Sequence, residues 1–285
     1  MTASVSSPFM RPGAAATLLL LAASPAFGQT RPLQTEEATT GPGGRMVFET
    51  GAEAIANEPS YVTGQERTRW DGPLLRVTYS PSDRVELDLE WVALVGASGE
   101  EGREDVSDWG DVSLRAKLRL LGGEGKPTLA ARFGMTLPET SYNDVTFQPL
   151  GLGPNTIRAF VQGLFTQPLG RARLHANAGL LTFDEVLRPH EQRDFLLYGL
   201  ALTVPLGRSL EALAEVAGRA GEGTPGAEQR SEVRAGFRFG RGRVRGDAAV
   251  RRGLAPADGT WGATMGLAWT IRASSSASGP PSAAP

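Results

Sequence analysis

Apolar and polar side chains alternate in segments of about ten residues between positions 45 and 272. In the segment RVELDLEWVALV at 84–95, every second residue from Val85 to Val95 is apolar. The opposite parity carries three charges: Glu86, Asp88 and Glu90. Alternate residues of a β-strand point to opposite faces of its sheet. The pattern therefore predicts strands with one apolar and one polar face, and three alternating charges cannot lie in a dry core.

The same alternation predicts about twelve strands along the chain. Their approximate positions are 45–54, 73–80, 84–95, 111–121, 127–137, 156–166, 171–182, 195–205, 209–218, 229–240, 243–252 and 260–271. Short turns alternate with longer connections, so all tight turns fall at one end of the sheet and all long loops at the other. This layout is typical of outer-membrane barrels, which have short periplasmic turns, longer external loops, a polar lumen and an apolar outer band. We therefore predict an all-β fold, an up-and-down antiparallel transmembrane β-barrel of about 12 strands.

A secreted, soluble β-sandwich or β-barrel binding protein is the alternative fold. It would also show the period of two. However, its loops should vary in length at both ends, whereas here one end carries only tight turns.

The chain ends have a different composition from the barrel. Arg11 precedes the apolar run AAATLLLLAA at 14–23, and small residues follow at Ala26 and Gly28. These are the zones of a secretory signal, and the run is too short to span a bilayer. The predicted organisation is a signal peptide at 1–28, an N-terminal linker at 29–44, the barrel at 45–272 and a disordered tail at 273–285. We therefore expect export to the cell outer membrane.

Composition removes several functional classes. A net charge of −2 argues against a nucleic-acid partner, and zero cysteines exclude a disulfide scaffold or a cysteine nucleophile. The acidic loop at 96–110 lacks the ordered spacing of a calcium loop, which favours a solvated loop. Neither His175 nor His190 has a serine two residues later, unlike barrel hydrolases. We predict a non-enzyme with no catalytic, metal or cofactor residues.

Charged residues on the inward parity are the candidates for permeation. They are Glu86, Asp88, Glu90, Arg115, Lys117, Arg119, His175, Arg234 and Arg238. Acidic and basic side chains on neighbouring strands attract each other across the sheet. Two interpretations remain open: an ion network that stiffens the barrel, or a polarised constriction that orients a dipolar or anionic solute. The pattern also leaves open whether the lumen is open or plugged.

Aromatic residues fall near the predicted strand ends. Girdles of aromatic side chains mark both membrane interfaces of outer-membrane barrels. The predicted periplasmic girdle contains Tyr79, Phe165, Phe237, Phe239 and Trp269. The predicted external girdle contains Trp109, Phe183 and Trp261.

The stretch from Trp109 to Thr182 resembles a known family. Gly110-Asp111 opens an alternating strand, a Gly-rich turn leads to Pro127, and the next strand ends at Leu137-Pro138. A further strand, a Pro-Leu-Gly turn at 168–170 and the run Leu174-His175-Ala176-Asn177 follow. This order resembles the MetA-pathway of phenol degradation family of outer-membrane β-barrel transporters. The resemblance implies a channel or transporter for small solutes, often aromatic or hydrophobic; a structural or assembly barrel without transport is the alternative.

The end of the last strand departs from the usual barrel pattern. Outer-membrane chains commonly finish on an aromatic residue that the insertion machinery recognises, but here Trp269 is followed by the polar tail ASSSASGPPSAAP. Two explanations remain open: Trp269 serves as an internal signal, or insertion follows a less conventional route. The predicted partners are outer-membrane lipid, the outer-membrane insertion machinery and a small-molecule solute.

Overall fold

The computed structural model describes residues 31–138, 152–153, 156–184 and 191–272. The predicted signal peptide and C-terminal tail lie outside these residues. No helix among the described residues is long and apolar enough to cross a membrane.

One sheet of fourteen strands makes up the described fold. The strands are β1 (Arg45–Pro59), β2 (Glu66–Ser82), β3 (Val85–Val92), β4 (Val95–Ser98), β5 (Val106–Asp108), β6 (Val112–Leu121), β7 (Thr128–Leu137), β8 (Arg158–Leu169), β9 (Ala172–Asp184), β10 (Gln192–Pro205), β11 (Leu210–Ala220), β12 (Arg230–Arg241), β13 (Val244–Gly253) and β14 (Trp261–Arg272).

The sheet closes on itself. Strand β1 pairs antiparallel with both β2 and β14, and the strands between them pair in chain order. The short β4 pairs with β2 beyond the end of β3, and the short β5 continues the line of β6 beside it. The fourteen strands therefore fill the positions of a closed 12-strand antiparallel barrel, which confirms the predicted fold class.

The barrel has an apolar outside and a charged inside. Leu114 is 45% exposed and Met265 is 67% exposed, whereas Glu86 and Asp247 are 2% and 1% exposed. Such an apolar outer surface is unfavourable in water but matches a hydrocarbon surround. Closure also leaves no strand edge unpaired, as a bilayer requires. This distribution excludes the soluble alternative.

The predicted alternation is wrong at one point in the third strand. Ala93 and Val95 were expected on the outer face with Leu89, but both are buried inside, and Leu94 is exposed. The ladder is interrupted there: Ala93 N donates to Pro73 O, and Gly72 N donates to Leu94 O. An irregularity of this kind shifts the parity of the residues that follow.

Most of the predicted girdle residues lie on the outer surface. The exposed members are Tyr79, Phe165, Phe237, Phe239, Trp269, Trp109 and Trp261. Phe183 is the exception, since it is 3% exposed and stacks on Phe195 inside the barrel. Its assignment to the external girdle was wrong because Phe183 has the inward parity of His175 and Asn177.

Several strands are longer than the alternating pattern. The loop predicted at 55–72 shrinks to 60–65, and part of the loop predicted at 96–110 forms β4 and β5. Strands β1 and β2 contain 15 and 17 residues, more than the roughly 9–11 that cross the hydrocarbon. Beyond the bilayer the outer face no longer has to be apolar, so the ladder continues where the hydropathy pattern stops.

Candidate functional site

Residues 31–44, here called the inner segment, lie inside the barrel. At the tight-turn end, Gly44 N donates to Ser80 O at 2.8 Å and Thr40 Oγ1 donates to Asp83 O at 2.5 Å. Farther in, Glu36 meets Lys117 of β6, and the backbone of Gln34 meets Glu215 of β11. The sequence predicts a linker at 29–44 that precedes the barrel; in the structure, the described part of this stretch, residues 31–44, lies in the lumen.

Glu36 is the most densely paired residue of the inner segment. Its carboxylate lies 3.1 Å from Arg132, 3.2 Å from Lys117 and 3.7 Å from Arg76. These three cations also contact the wall carboxylates: Lys117 lies 2.6 Å from Glu86, and Arg76 lies 3.1 Å from Asp88. The inner segment thus supplies a carboxylate to a network that extends over β2, β3, β6 and β7.

Glu37 connects the inner segment to a second group of wall residues. Arg173 donates to Glu37 at 3.0 Å and to Glu211 at 2.8 Å. Arg238 donates to Glu211 at 3.1 Å and, through Nε, to the backbone oxygen of Arg31 at 2.7 Å. One wall carboxylate therefore orients two arginines toward the segment.

A third group binds the backbone of the inner segment. Both carboxylate oxygens of Glu215 accept from Gln34 N, and one also accepts from Thr35 N at 2.8 Å. Arg234 donates to Pro32 O at 2.7 Å and forms ion pairs with Glu232 and Glu53. A buried backbone group without a hydrogen-bond partner costs about 1–3 kcal/mol. The wall charges supply these partners, so the backbone of the segment can be buried without that cost.

The wall is also shaped around the inner segment. A side chain at Gly199 would come within 2.6 Å of Thr35 Oγ1, and one at Gly266 within 2.7 Å of Arg31 Nε. Small apolar clusters contribute as well: Leu33 packs with Ala201 and Leu213. Polar contacts nevertheless dominate this interface.

The remaining predicted lumen residues also point inward. Arg115 lies 2.5 Å from Glu90, and Arg119 donates to the backbone oxygens of Asp83 and Gly122 near the tight turns. His175 lies 3.0 Å from Thr166 through Nδ1 and 3.4 Å from Thr203 through Nε2. Acidic and basic residues of β3 and β6 are therefore paired side by side, which is the arrangement of a cross-strand ion network.

Several lumen residues were not singled out by sequence reasoning. They include Arg76 and Arg132, which bind Glu36, and Glu53, Glu232 and Arg251, which surround Arg234. Each is a charge on the inward parity of its strand. That parity was the available signal. His190 lies outside the described residues, within which no group of three potential metal ligands is found.

The charges around Glu36 and Glu37 determine their protonation. Burial alone would raise the pKa of Glu36, but Arg132, Lys117 and Arg76 together hold it far below its ordinary 4.5. Burial likewise opposes ionisation of Glu37, and Arg173, followed by His175, brings its pKa below the ordinary value. Both carboxylates are therefore ionised at neutral pH while the segment is in place.

We expect acid to weaken the docking of the inner segment. Since both pKa values are lower in the docked state, the contribution of the two carboxylates is complete above pH 4.5 and declines as pH falls toward the docked values. In that window, protonation of each carboxylate lowers the equilibrium constant for docking by about tenfold per pH unit. Open probability in planar bilayers, which reports how often the segment leaves the lumen, should therefore rise as the pH falls below 4.5. The double variant E36Q/E37Q serves as the control and should show a smaller rise; an equal rise in that variant would contradict the assignment.

Comparisons with known proteins extend the fold assignment. No family model matches the chain, and no curated protein matches it, so the resemblance to the phenol-degradation family stays a prediction. Among solved structures, an outer membrane channel from Pseudomonas putida F1 is similar with a TM-score of 0.63 and 16% identity, covering 84% of this chain and 100% of that one. The translocator domain of the autotransporter NalP from Neisseria meningitidis has a TM-score of 0.47 and 14% identity, covering 79% of this chain and 88% of that one. The CymD monoaromatic hydrocarbon channel has a TM-score of 0.42 and 9% identity, covering 82% and 89%.

The likeness to the Pseudomonas putida barrel shows a shared fold. Together with the closed ladder and the apolar outer face, it places the chain among outer-membrane β-barrels. Lipid therefore surrounds the wall, and the polar lumen is the part of the molecule available for function.

Proposed function

We propose that this protein is an outer-membrane channel for small solutes whose lumen is closed by the inner segment. The presence of residues 31–44 inside a barrel that closes without them carries the proposal. The ladder between β1 and β14 does not involve the segment, so its removal leaves the wall hydrogen-bonded. The outer-membrane channel of similar fold from Pseudomonas putida F1 supports this class of function.

The character of the interface supports a displaceable segment. Ion pairs and hydrogen bonds hold it, and water entering the lumen can replace both kinds of contact. The apolar contacts are small: Leu33 with Ala201 and Leu213, and Ala38 with Ala130 and Leu164. A segment held in this way can leave the lumen while the barrel remains folded.

The lining of the lumen indicates the kind of solute. Buried charges from β2, β3, β6, β7 and β12 face the inside, which favours solutes that carry a polar or charged group. The family resemblance implies small, often aromatic molecules. A small solute with one apolar part and one polar group satisfies both.

Deletion of residues 31–41 tests the proposal. In planar bilayers, the variant should show single-channel conductance several-fold above that of the parent, because the segment no longer obstructs the lumen. A mobility shift on a denaturing gel without boiling should confirm that the variant is still a folded barrel. A folded variant that conducts no better than the parent would favour a structural barrel without transport.

A reversible lock provides the matched control. The chain contains no cysteine, so Leu33→Cys and Ala201→Cys would introduce the two thiols at packed positions of the segment and the wall. Oxidation should hold conductance at its minimum, and reduction should restore the parental value. The conductance of each single-cysteine variant should not change on oxidation. Unchanged gating in the oxidised double variant would overturn the role of the segment.

A further inference from the structure

A cavity of about 430 Å³ lies in the lumen at the long-loop end of the strands. Gln34 of the inner segment lines it, along with residues from the long-loop ends of β1, β2, β3, β6, β8 and β11. Leu152 and Gly153 also line it, and Tyr61 donates to Gly153 O at 2.9 Å. Its volume is in the range of small-molecule sites.

Arginines and carboxylates line this cavity in nearly equal number. The arginines are Arg67, Arg69, Arg115, Arg158, Arg219, Arg230 and Arg251. The carboxylates are Glu53, Glu58, Asp71, Glu90, Asp111 and Glu228. Most are paired: Arg69 with Asp71 at 2.9 Å, Arg230 with Glu58 at 2.9 Å, and Arg158 with Asp111.

Arg219 differs from the other arginines of the cavity. Its Nε donates to the backbone oxygen of Glu228 at 2.8 Å, and no carboxylate of the described residues forms an ion pair with it. The carboxylate of Glu228 accepts from Gly226 N at 2.7 Å instead. Directly across the β11–β12 ladder from Arg219 stands Arg230. Like charges in directly opposed positions are destabilising, and the carboxylate of Glu58 pairs with Arg230, so Arg219 is the arginine of this pair that an additional anion would suit.

The guanidinium of Arg219 is held in place. Phe183 and Phe195 stack with their ring centroids 5.6 Å apart, and Arg219 Cζ lies 5.5 and 5.2 Å from those centroids. With one face on the rings and Nε on a backbone oxygen, the group loses little freedom when it binds a ligand. Its two terminal nitrogens form the edge that suits a carboxylate.

An apolar surface adjoins this charge. Leu181 packs against the cluster that contains Phe183 and Phe195, and it also lines the cavity. Ile55, Val92 and Val95 add further apolar lining. The cavity therefore offers a place for an apolar body as well as for a negative group.

We propose that Arg219, assisted by Arg230, binds the carboxylate of a small organic acid whose apolar part packs on Leu181. This subsite rests on the proposed channel function and defines its solute class as small apolar monocarboxylates. The two terminal nitrogens of Arg219 donate to the carboxylate. Its negative charge offsets the repulsion between Arg219 and Arg230, which face each other across the β11–β12 ladder.

Binding of benzoate to the full chain folded in detergent micelles tests this site. Titration calorimetry at pH 7 should show benzoate binding and at least tenfold weaker binding of benzamide, which has the same ring but no charge. R219Q should weaken benzoate binding at least about tenfold, and R219K, which keeps the charge without the fork, should fall between. R252Q should bind as the parent does, because Arg252 stacks on a different aromatic ring, that of Trp261, at 4.9 Å.

The outcomes separate the subsite from the channel. Equal binding of benzoate and benzamide, or R219Q binding benzoate like the parent, would overturn the subsite even if deletion of 31–41 opens a channel. Benzoate binding that depends on Arg219 in a barrel that never conducts would instead remove the channel and leave an anion site. The mobility shift without boiling verifies folding of every variant.

Discussion

Replacing Glu36 with lysine is expected to release the inner segment from the lumen. In the parent protein Glu36 lies within 3.7 Å of Arg76, Lys117 and Arg132. A lysine there would face three cations and would remove the carboxylate that all three of them contact. Removing one partner of a buried ion pair costs about 3–5 kcal/mol, and reversing its charge adds repulsion. The segment gains more by leaving than by staying, so single-channel conductance of E36K should approach that of the deletion variant.

A graded series distinguishes charge from packing at this position. E36Q removes the charge but keeps the size, and it should give an intermediate open probability. Equal conductance of E36K and the parent, with E36K folded as a barrel, would show that the Glu36 network does not hold the segment.

Replacing Leu114 with arginine should destabilise the barrel in lipid. Leu114 is an exposed residue of the outer face, and its register partners Leu89 and Met135 are exposed apolar residues too. Arginine on the lipid face costs about 2–4 kcal/mol near the middle of the bilayer. Urea unfolding from lipid vesicles should show a loss of that size.

The control for this change is an arginine placed outside the hydrocarbon. Glu124 lies in the turn between β6 and β7, where water surrounds the side chain. E124R should leave the unfolding free energy within about 0.5 kcal/mol of the parent. A loss in L114R no greater than in E124R would contradict a lipid-facing outer surface.

Local alternation accounts for how well the barrel was predicted. In β6 the inward Ser113 and Lys117 and the outward Leu114 follow the sequence pattern because lipid and lumen impose opposite solvents on successive residues. The prediction is wrong at Ala93, where the ladder shifts, and at Phe183, where an aromatic residue was assigned by its nearness to a strand end. The ladder shift leaves no signal in side-chain type, whereas the inward packing of Phe183 follows from the parity that it shares with His175 and Asn177.

The candidate site was only partly predictable for a related reason. Glu86, Lys117 and Arg234 were identified because each is a charge on an inward parity. The polar segment at 31–44 has no alternation, and polarity alone suits a solvated linker as well as a polar lumen. Its contacts with Lys117 and Glu215 join residues separated by 81 and 181 positions. The local pattern of polar and apolar residues gives no information about contacts over such separations.

The sequence by itself determined a closed β-barrel with a charged interior. The period of two is a property of each strand, and the spacing of turns is a property of strands that follow one another along the chain, so both can be read without knowledge of distant contacts. Only the tertiary structure decided what fills that interior. The carboxylate of Glu36 acquires its role from Arg76, Lys117 and Arg132, which come from three different strands. Likewise, the opposition of Arg219 and Arg230 depends on the register between β11 and β12, which is set by the closed ladder as a whole.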